Sequence, residues 1–366
     1  MLLTNLQIQQ YRNLDSMELS LDGEIILFVG QNAQGKTNIL ESIYVLAMAK
    51  SHRTSKDREL IAWNEDFARL GAYVQKKNGP LSLEIQLTNK GKRAKVNGLE
   101  QRKLSNYIGA LNVVMFAPED LDIVKGNPSI RRRFIDMEIG QVSPIYLHLL
   151  SQYQKLIHQR NQALKESFID LIEVYNMQMA ELSAKILHKR MQFIDKLQVW
   201  ANEIHSQITS GKENLTLRYQ STFSYDQEMS EQDAIDQIFV YLQSIREKEV
   251  MRGMSLAGPH RDDIYFSINN KSVQQYGSQG QQRTTALSLK LAEIELIYQE
   301  VGEYPLLLLD DVLSELDANR QSHLLTGIKN RVQTFVTSTG VEGLNHDTLK
   351  HASLFRVDQG KVTQEM

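Results

Sequence analysis

An apolar run, Ile25–Val29, leads directly into Gly30-Gln31-Asn32-Ala33-Gln34-Gly35-Lys36-Thr37, and Asn38–Ala49 follows with Ile39, Leu40, Ile43, Leu46 and Ala47 at helical spacing. Strand, glycine loop and helix in this order satisfy G-x-x-x-x-G-K-[ST] in the context that the motif requires. The glycines let successive backbone N–H groups turn inward around an anion, and the helix N-terminus adds partial positive charge there. In this arrangement Lys36 reaches the β- and γ-phosphates and the Thr37 hydroxyl ligates Mg²⁺. Ile25–Val29 is apolar on both faces, so it reads as a strand buried on both sides.

Far downstream, Leu306–Leu309 is another apolar strand, ending in Asp310-Asp311. Paired with the glycine loop, Asp310 is placed to hold the Mg²⁺ shell and Asp311 to polarise an attacking water. Tyr276-Gly277-Ser278-Gln279-Gly280-Gln281-Gln282-Arg283 immediately precedes a helix expected over Thr284–Val301. Serine, glycine and a helix N-terminus make a second anion receptor. One loop already cradles the phosphates, so Ser278, Gln279, Gly280 and Gln281 are expected to meet the γ-phosphate held by a second copy of the chain. Ser314-Glu315-Leu316-Asp317 would stand at the same seam.

Composition bounds the rest. The 366 residues suggest two lobes, and Gly 20 with Pro 6 leaves little room for irregular loops. No cysteine is present, which removes disulfides, thiolate zinc sites and cysteine nucleophiles, and fits a reducing cytoplasm. The N-terminus lacks the basic and apolar regions of a signal peptide, and no apolar run approaches the ~18 residues that span a bilayer. A net charge of −3 argues against a surface that coats nucleic acid throughout, but not against a local basic face.

Along the chain, residues 1–125 read as strands with one strong helix, 126–250 as a lobe dominated by a helical hairpin, and 251–366 as renewed α/β alternation. The hairpin is built from the periodic Tyr146, Tyr153 and Leu164 and from a stretch over Asp170–Ile208 free of Pro and Gly.

The order of phosphate loop, S-Q-G-Q, L-L-L-L-D-D and S-E-L-D resembles ABC-type ATPase heads of the SMC kind. In these, both chain ends form one α/β head and a helical-hairpin lobe is inserted between them. Within that group the chain resembles the bacterial RecF family. The resemblance runs nearly end to end, through Leu6-Gln7-Ile8-Gln9-Gln10-Tyr11-Arg12-Asn13, Ser51-His52-Arg53-Thr54, Phe116-Ala117-Pro118-Glu119-Asp120-Leu121, Arg131-Arg132-Arg133-Phe134-Ile135-Asp136 and Gly258-Pro259-His260-Arg261-Asp262. It implies an ATP- and Mg²⁺-dependent homodimer that binds DNA at gaps and single-strand/double-strand junctions. Such a protein acts with RecO and RecR to load RecA in recombinational repair, replication-fork maintenance and the SOS response.

It also implies that Arg12, Asn13, Asn38, Arg53 and Thr54 lie near the nucleotide. Relatives of the ABC type carry Glu where this chain has Asp311, and often His near Thr337-Ser338-Thr339. A shorter acid and a hydroxyl both imply hydrolysis far slower than the ~10 s⁻¹ typical of enzymes.

Two basic stripes are candidate DNA contacts: Lys90, Lys92, Arg93 and Lys95, and Arg131, Arg132 and Arg133. No aromatic is interleaved within residues 88–103, so tracking of the duplex backbone is the expected mode there. The competing reading for the arginines is pairing with Asp136 or Glu138. His260-Arg261-Asp262-Asp263 is expected to be structural rather than a metal site. The main alternative for the whole chain is the ATPase subunit of a membrane transporter, against which the helical insertion and the basic stripes both stand.

Overall fold

The computed structural model describes residues 1–313, 316–329, 331–340 and 352–365. They divide into two compact units, Met1–Asp120 with Leu287–Met366, and Leu121–Ala286. The first portion carries β1 (Leu2–Tyr11), β2 (Leu14–Ser20), β3 (Ile25–Val29), α1 (Lys36–Met48), β4 (Phe67–Lys76), β5 (Gly79–Thr88), β6 (Gly91–Val96), β7 (Leu99–Glu100) and β8 (Val113–Phe116). The second unit carries α2 (Leu121–Lys125), α3 (Pro128–Val142), α4 (Pro144–Glu166), α5 (Ile169–Ile208), β9 (Leu215–Gln220), α6 (Glu231–Arg252), β10 (Asp263–Ile268), β11 (Lys271–Ser272) and α7 (Val273–Tyr276). The division falls within α8 (Gln279–Val301), after which β12 (Leu306–Asp310), α9 (Ala318–Ile328), β13 (Thr334–Ser338), β14 (Ala352–Asp358) and β15 (Lys361–Glu365) complete the first unit.

The first unit is built on two sheets. One is antiparallel, in the order β2-β1-β4-β5-β6-β7. Its inward face is set by alternation: Leu6 and Ile8, Leu70, Ala72 and Val74, and Leu83, Ile85 and Leu87 are all buried. The other sheet runs β15-β14-β3-β13-β12-β8 and is parallel except at β15. α1 touches β1, β4 and β5 of the first sheet and β13, β12 and β8 of the second. It is therefore apolar nearly all round, with Ile39, Leu40, Ile43, Val45, Leu46 and Met48 buried. Parallel pairing brings the carboxyl ends of β3, β13 and β12 to one edge, where ligands bind in open α/β sheets.

In the second unit α5 packs on α4, α6 and β9, and β10 pairs antiparallel with β9 and β11. The α4–α5 turn closes on Ser167, which takes a left-handed conformation with its N–H bonded to Ala163 and Leu164. Sequence periodicity assigns 251–286 to the α/β head. Contacts place these residues in the second unit instead, because β10 pairs along its length with β9, from Asp263↔Gln220 to Ile268↔Leu215.

Buried arginines tie this unit together. Arg160 donates to Asn176, Ser255 and the Glu249 carboxylate, all fully buried. Arg190 joins α5 to Asp136, Tyr146, Tyr219 and the Pro259 carbonyl. Arg131 chelates Asp263 with Nε and Nη2 and caps the Gly126 carbonyl. The His260–Asp263 run belongs to this scaffold. Asp262 accepts from Tyr219 and Thr222, and His260 Nδ1 shares a 2.7 Å hydrogen bond with Tyr153. Burial, then the charge of Arg261, pushes the His260 imidazole down to about 4.

Removing one partner of a buried ion pair strands the other. Arg160→Ala is expected to cost about 3–5 kcal/mol in urea unfolding, and Arg160→Met with Glu249→Leu to recover most of that loss.

Candidate nucleotide-binding site

The loop between β3 and α1 has the backbone that an anion cradle needs. Gly35 has φ 114° and Ala33 φ 66°, both in the left-handed half of conformational space. Gly30 admits no side chain, because a Cβ there would stand 2.2 Å from the Val357 carbonyl oxygen. α1 begins without a side-chain cap and without an acid in its first turn, so its first N–H groups are not taken up by a capping side chain. Gln31, Asn32 and Ala33 are exposed and Gln34 half-buried. Lys36 is buried and its Nζ donates to the carbonyls of Gly30 at 2.6 Å and Gln31 at 2.8 Å. Burial lowers its pKa, against the opposing charges of Asp311 and Asp310.

The two sequence motifs meet directly. Thr37 Oγ1 donates to Asp310 Oδ1 at 2.9 Å, across 273 positions of sequence. Asp310 is buried at the end of β12, and burial pushes its carboxyl up while hydrogen bonds from Thr337 and Thr37 pull it back. Exposed Glu119, just beyond β8, is close enough to raise it further. Hydroxyl and carboxylate oxygens are the hard donors Mg²⁺ prefers, and Mg²⁺ usually takes only one or two of them beside substrate phosphates. No cluster of three or more His, Cys, Asp or Glu side chains that could hold a metal ion occurs among the described residues. The residues present fit Mg²⁺ and a polyphosphate.

Beside the cradle lies a network that the sequence reading holds only in part. Glu41 of α1 is fully buried and accepts Arg12 Nε at 2.9 Å, Arg12 Nη2 at 2.7 Å and Ser51 Oγ at 2.6 Å. Arg53 stands 3.7 Å from Glu41 and donates to Asn38, which donates to Asn13. Thr54 joins through Ser51 and Glu59. Arg12, Asn13, Asn38, Arg53 and Thr54 are thus joined in one network around a carboxylate that the sequence motifs do not name. Its one signal is an acid inside an otherwise apolar helix. Burial alone would raise the Glu41 carboxyl, but bonds from Arg12 and Ser51 and the charges of Arg12 and Arg53 bring it below its ordinary value.

A second unexpected support comes from the turn between β14 and β15. Gly360 N–H donates to the Gln34 carbonyl at 2.9 Å, and Gln359 N–H to Gln34 Oε1 at 2.5 Å. Gly360 has φ 76°, and a Cβ there would lie 2.4 Å from the Asn13 carbonyl oxygen.

Other expected residues sit elsewhere. Ser278, Gln279, Gly280 and Gln281 belong to the second unit, and α8 starts at Gln279, so the segment forms its first turn instead of preceding it. Ser278 Oγ accepts the Gln281 N–H, and Gln281 Oε1 accepts the Ser278 N–H, a capping box that leaves Ser278 exposed at the tip. Ser314 and Glu315 lie outside the described residues. Arg131 is buried against Asp263, not Asp136 or Glu138, and so has no charge to offer solvent. Arg132 is half-buried and bonds the Asp262 carbonyl, while Arg133 is exposed. In the other stripe Lys92 pairs with Asp57 at 2.9 Å and Lys95 with Glu84 at 2.9 Å, whereas Lys90 is exposed and Arg93 is exposed with Glu100 3.9 Å away.

Fold and site together define a P-loop nucleotide-binding head of the SMC kind. The family model described as RecF/RecN/SMC N terminal domain matches residues 2–363. The chain is 54% identical to a DNA replication and repair protein RecF of Bacillus cereus (strain B4264), covering 100% of this chain and 99% of that one. It is 53% identical to the protein of the same description from Bacillus subtilis (strain 168), covering 100% of both. Among solved structures, "Structure of the recombination mediator protein RecF-ATP in RecFOR pathway" superposes with a TM-score of 0.92 at 32% identity, covering 100% of this chain and 97% of that one. An SMC head bound to the C-terminal winged-helix domain of ScpA shares the fold, with a TM-score of 0.57 at 16% identity over 100% and 98% of the two chains. The chain belongs to the RecF family.

Two outcomes test this description of the site. Gly360→Val pushes the β14–β15 turn off the phosphate loop, and ATP binding by titration calorimetry is expected to weaken about tenfold or more. For Glu41, a folded pKa below the unfolded one gives stability that is complete above the ordinary carboxylate value of ~4.3. That stability is lost as pH falls through the lower folded value. The difference in unfolding free energy between the native chain and Glu41→Gln is therefore expected to be constant near neutrality and to shrink in acid.

Proposed function

We propose that this chain is an ATP-gated DNA-binding protein of recombinational repair that works as a homodimer. The observation carrying this reading is the hydrogen bond from Thr37 to Asp310, which joins the phosphate-loop hydroxyl to the strand-end acid. In the reading, the loop amides and Lys36 hold the phosphates, and Thr37 and Asp310 hold Mg²⁺. The metal, when bound, neutralises phosphate charge and polarises the bond to be cleaved. Asp311 orients the attacking water. Its carboxylate is a methylene shorter than glutamate, so slow hydrolysis follows.

Dimerisation completes the site. Ser278, held at the tip of α8 by its capping box and exposed to solvent, is suited to reach the γ-phosphate bound by a second copy. Nucleotide then acts by favouring the closed dimer, and hydrolysis reverses it. Sedimentation with and without ATP is expected to show nucleotide-dependent dimers for the native chain and monomers for Lys36→Met and Ser278→Arg. Dimers indifferent to ATP would overturn the gate.

Among the described residues no helix is long and apolar enough to cross a membrane. Family membership, with the basic stripe, favours DNA over a transporter partner, and a cytoplasmic site of action. RecO and RecR are the protein partners that the RecFOR pathway of the similar structure supplies. For DNA, the exposed Lys90 and Arg93 of the β5–β6 region are the best-placed contacts, with Arg133 second; Lys92 and Lys95 are held by acids at 2.9 Å, whereas the Arg93 pair with Glu100 is longer, at 3.9 Å, and open to solvent. Each phosphate contact contributes ~0.9 to the slope of log affinity against log salt on duplex. Lys90→Ser with Arg93→Ser is expected to flatten that slope by about 1–2, and an unchanged slope would remove the stripe.

A further inference from the structure

At the end of β13, between β3 and β12, Thr337 is buried, with 2% exposure. Its hydroxyl donates to Asp310 Oδ1 at 2.7 Å and accepts the backbone N–H of Asp311 at 2.9 Å. One oxygen therefore touches both acids at the end of β12. Asp311 needs such a hold. Its φ of 55° lies in the left-handed region, which a residue other than glycine enters at a cost of about 1 kcal/mol. The bond fixes the amide on which that conformation pivots.

The next two hydroxyls are differently placed. Ser338 bonds internally to Gly340, and Thr339 is exposed. Thr337 is therefore turned into the acid pair, where it cannot also reach outward as a phosphate sensor.

We infer that Thr337 is the positioning residue of the metal and water side of the site. It keeps Asp310 Oδ1 engaged so that Oδ2 is presented to Mg²⁺, and it locks the backbone turn that aims Asp311. The donation adds to that of Thr37, whose hydroxyl can offer a lone pair to the metal while its proton stays on Asp310, so two hydroxyls together fix the carboxylate's orientation. This inference rests on the Mg²⁺-ATP reading above and adds a residue to it. The role needs only the hydroxyl, not its methyl group, so serine should serve and valine should not.

The test separates metal-dependent from metal-independent binding. Fluorescent methylanthraniloyl-ATP is titrated into the full chain in Mg²⁺ and in EDTA, and hydrolysis is measured at saturating ATP. Thr337→Val is expected to keep EDTA affinity within about twofold, lose about tenfold of the gain that Mg²⁺ gives, and hydrolyse at least about tenfold more slowly. These sizes are those of a hydrogen bond to a charged group. Thr337→Ser is expected to restore both to within about twofold, and Thr337→Ala to behave as valine, which gives a second probe should valine fail to fold. Equal losses in Mg²⁺ and EDTA, a valine variant that keeps the Mg²⁺ gain, or a serine variant that does not recover would each overturn the inference. A native chain whose affinity gains nothing from Mg²⁺ would remove the underlying reading, and that is seen before any variant is made.

Discussion

Strands β3, β13 and β12 run parallel and in register, and the chemistry of the site descends from that alignment. Phe28 stands beside Thr337, and Thr337 beside Asp310, so three carboxyl ends open on one edge of the sheet. An antiparallel arrangement would send the acids and the phosphate loop to opposite edges. With the strands parallel, a hydroxyl on the helix after β3 reaches the carboxylate ending β12, and the strand between them supplies a second hydroxyl to the same oxygen. Lys36 and Glu41 extend this along α1, one at the anion cradle and one in the arginine network, so a shift of that helix would be felt at both.

The second unit solves a different problem. Its helices α4, α5 and α6 are long, and each presents a mixed surface, so apolar burial alone specifies their register weakly. Three buried guanidinium groups supply the specificity. Each has an acid partner and further oxygen acceptors, so each charge is paired and its fork largely satisfied. Replacing such a pair, both partners together, by hydrophobes of similar volume need not destabilise the fold. It would remove the geometric reason for one packing over its neighbours. The same logic explains why an arginine-rich segment with the look of a DNA-binding stripe on paper turns Arg131 inward.

What was legible in the chain follows the range of the signal. Ile25–Val29 and the phosphate loop are local patterns, and both occur where expected, with α1 starting two residues earlier than its periodicity suggested. Phe67–Lys76 was not anticipated as a strand. Its alternation is interrupted by Gly71, where a side chain would meet Gln7 of the neighbouring strand within 3.0 Å, and that need is invisible without the neighbour. Pro128–Val142 was read as charge, not as a helix, because the partner that explains Arg131, Asp263, lies 132 positions away. Glu41, Gly360 and the Thr337 bridge are likewise properties of pairs formed on folding. The motifs named the centre of the site; its supports are non-local and emerge only from the tertiary structure.

The placement of β3 also bears on how such a chain is made. Its hydrogen-bonding neighbours on both sides come from residues 334–338 and 352–358, more than three hundred positions later. During synthesis the most apolar strand of the nascent polypeptide waits with both edges open, a condition that invites wrong pairing. Loop closures of that span are slow. Competence to grip nucleotide is therefore acquired late in folding, and a ribosome-bound or prematurely ended fragment can carry a complete glycine loop and still lack the sheet and the turn that hold it in shape.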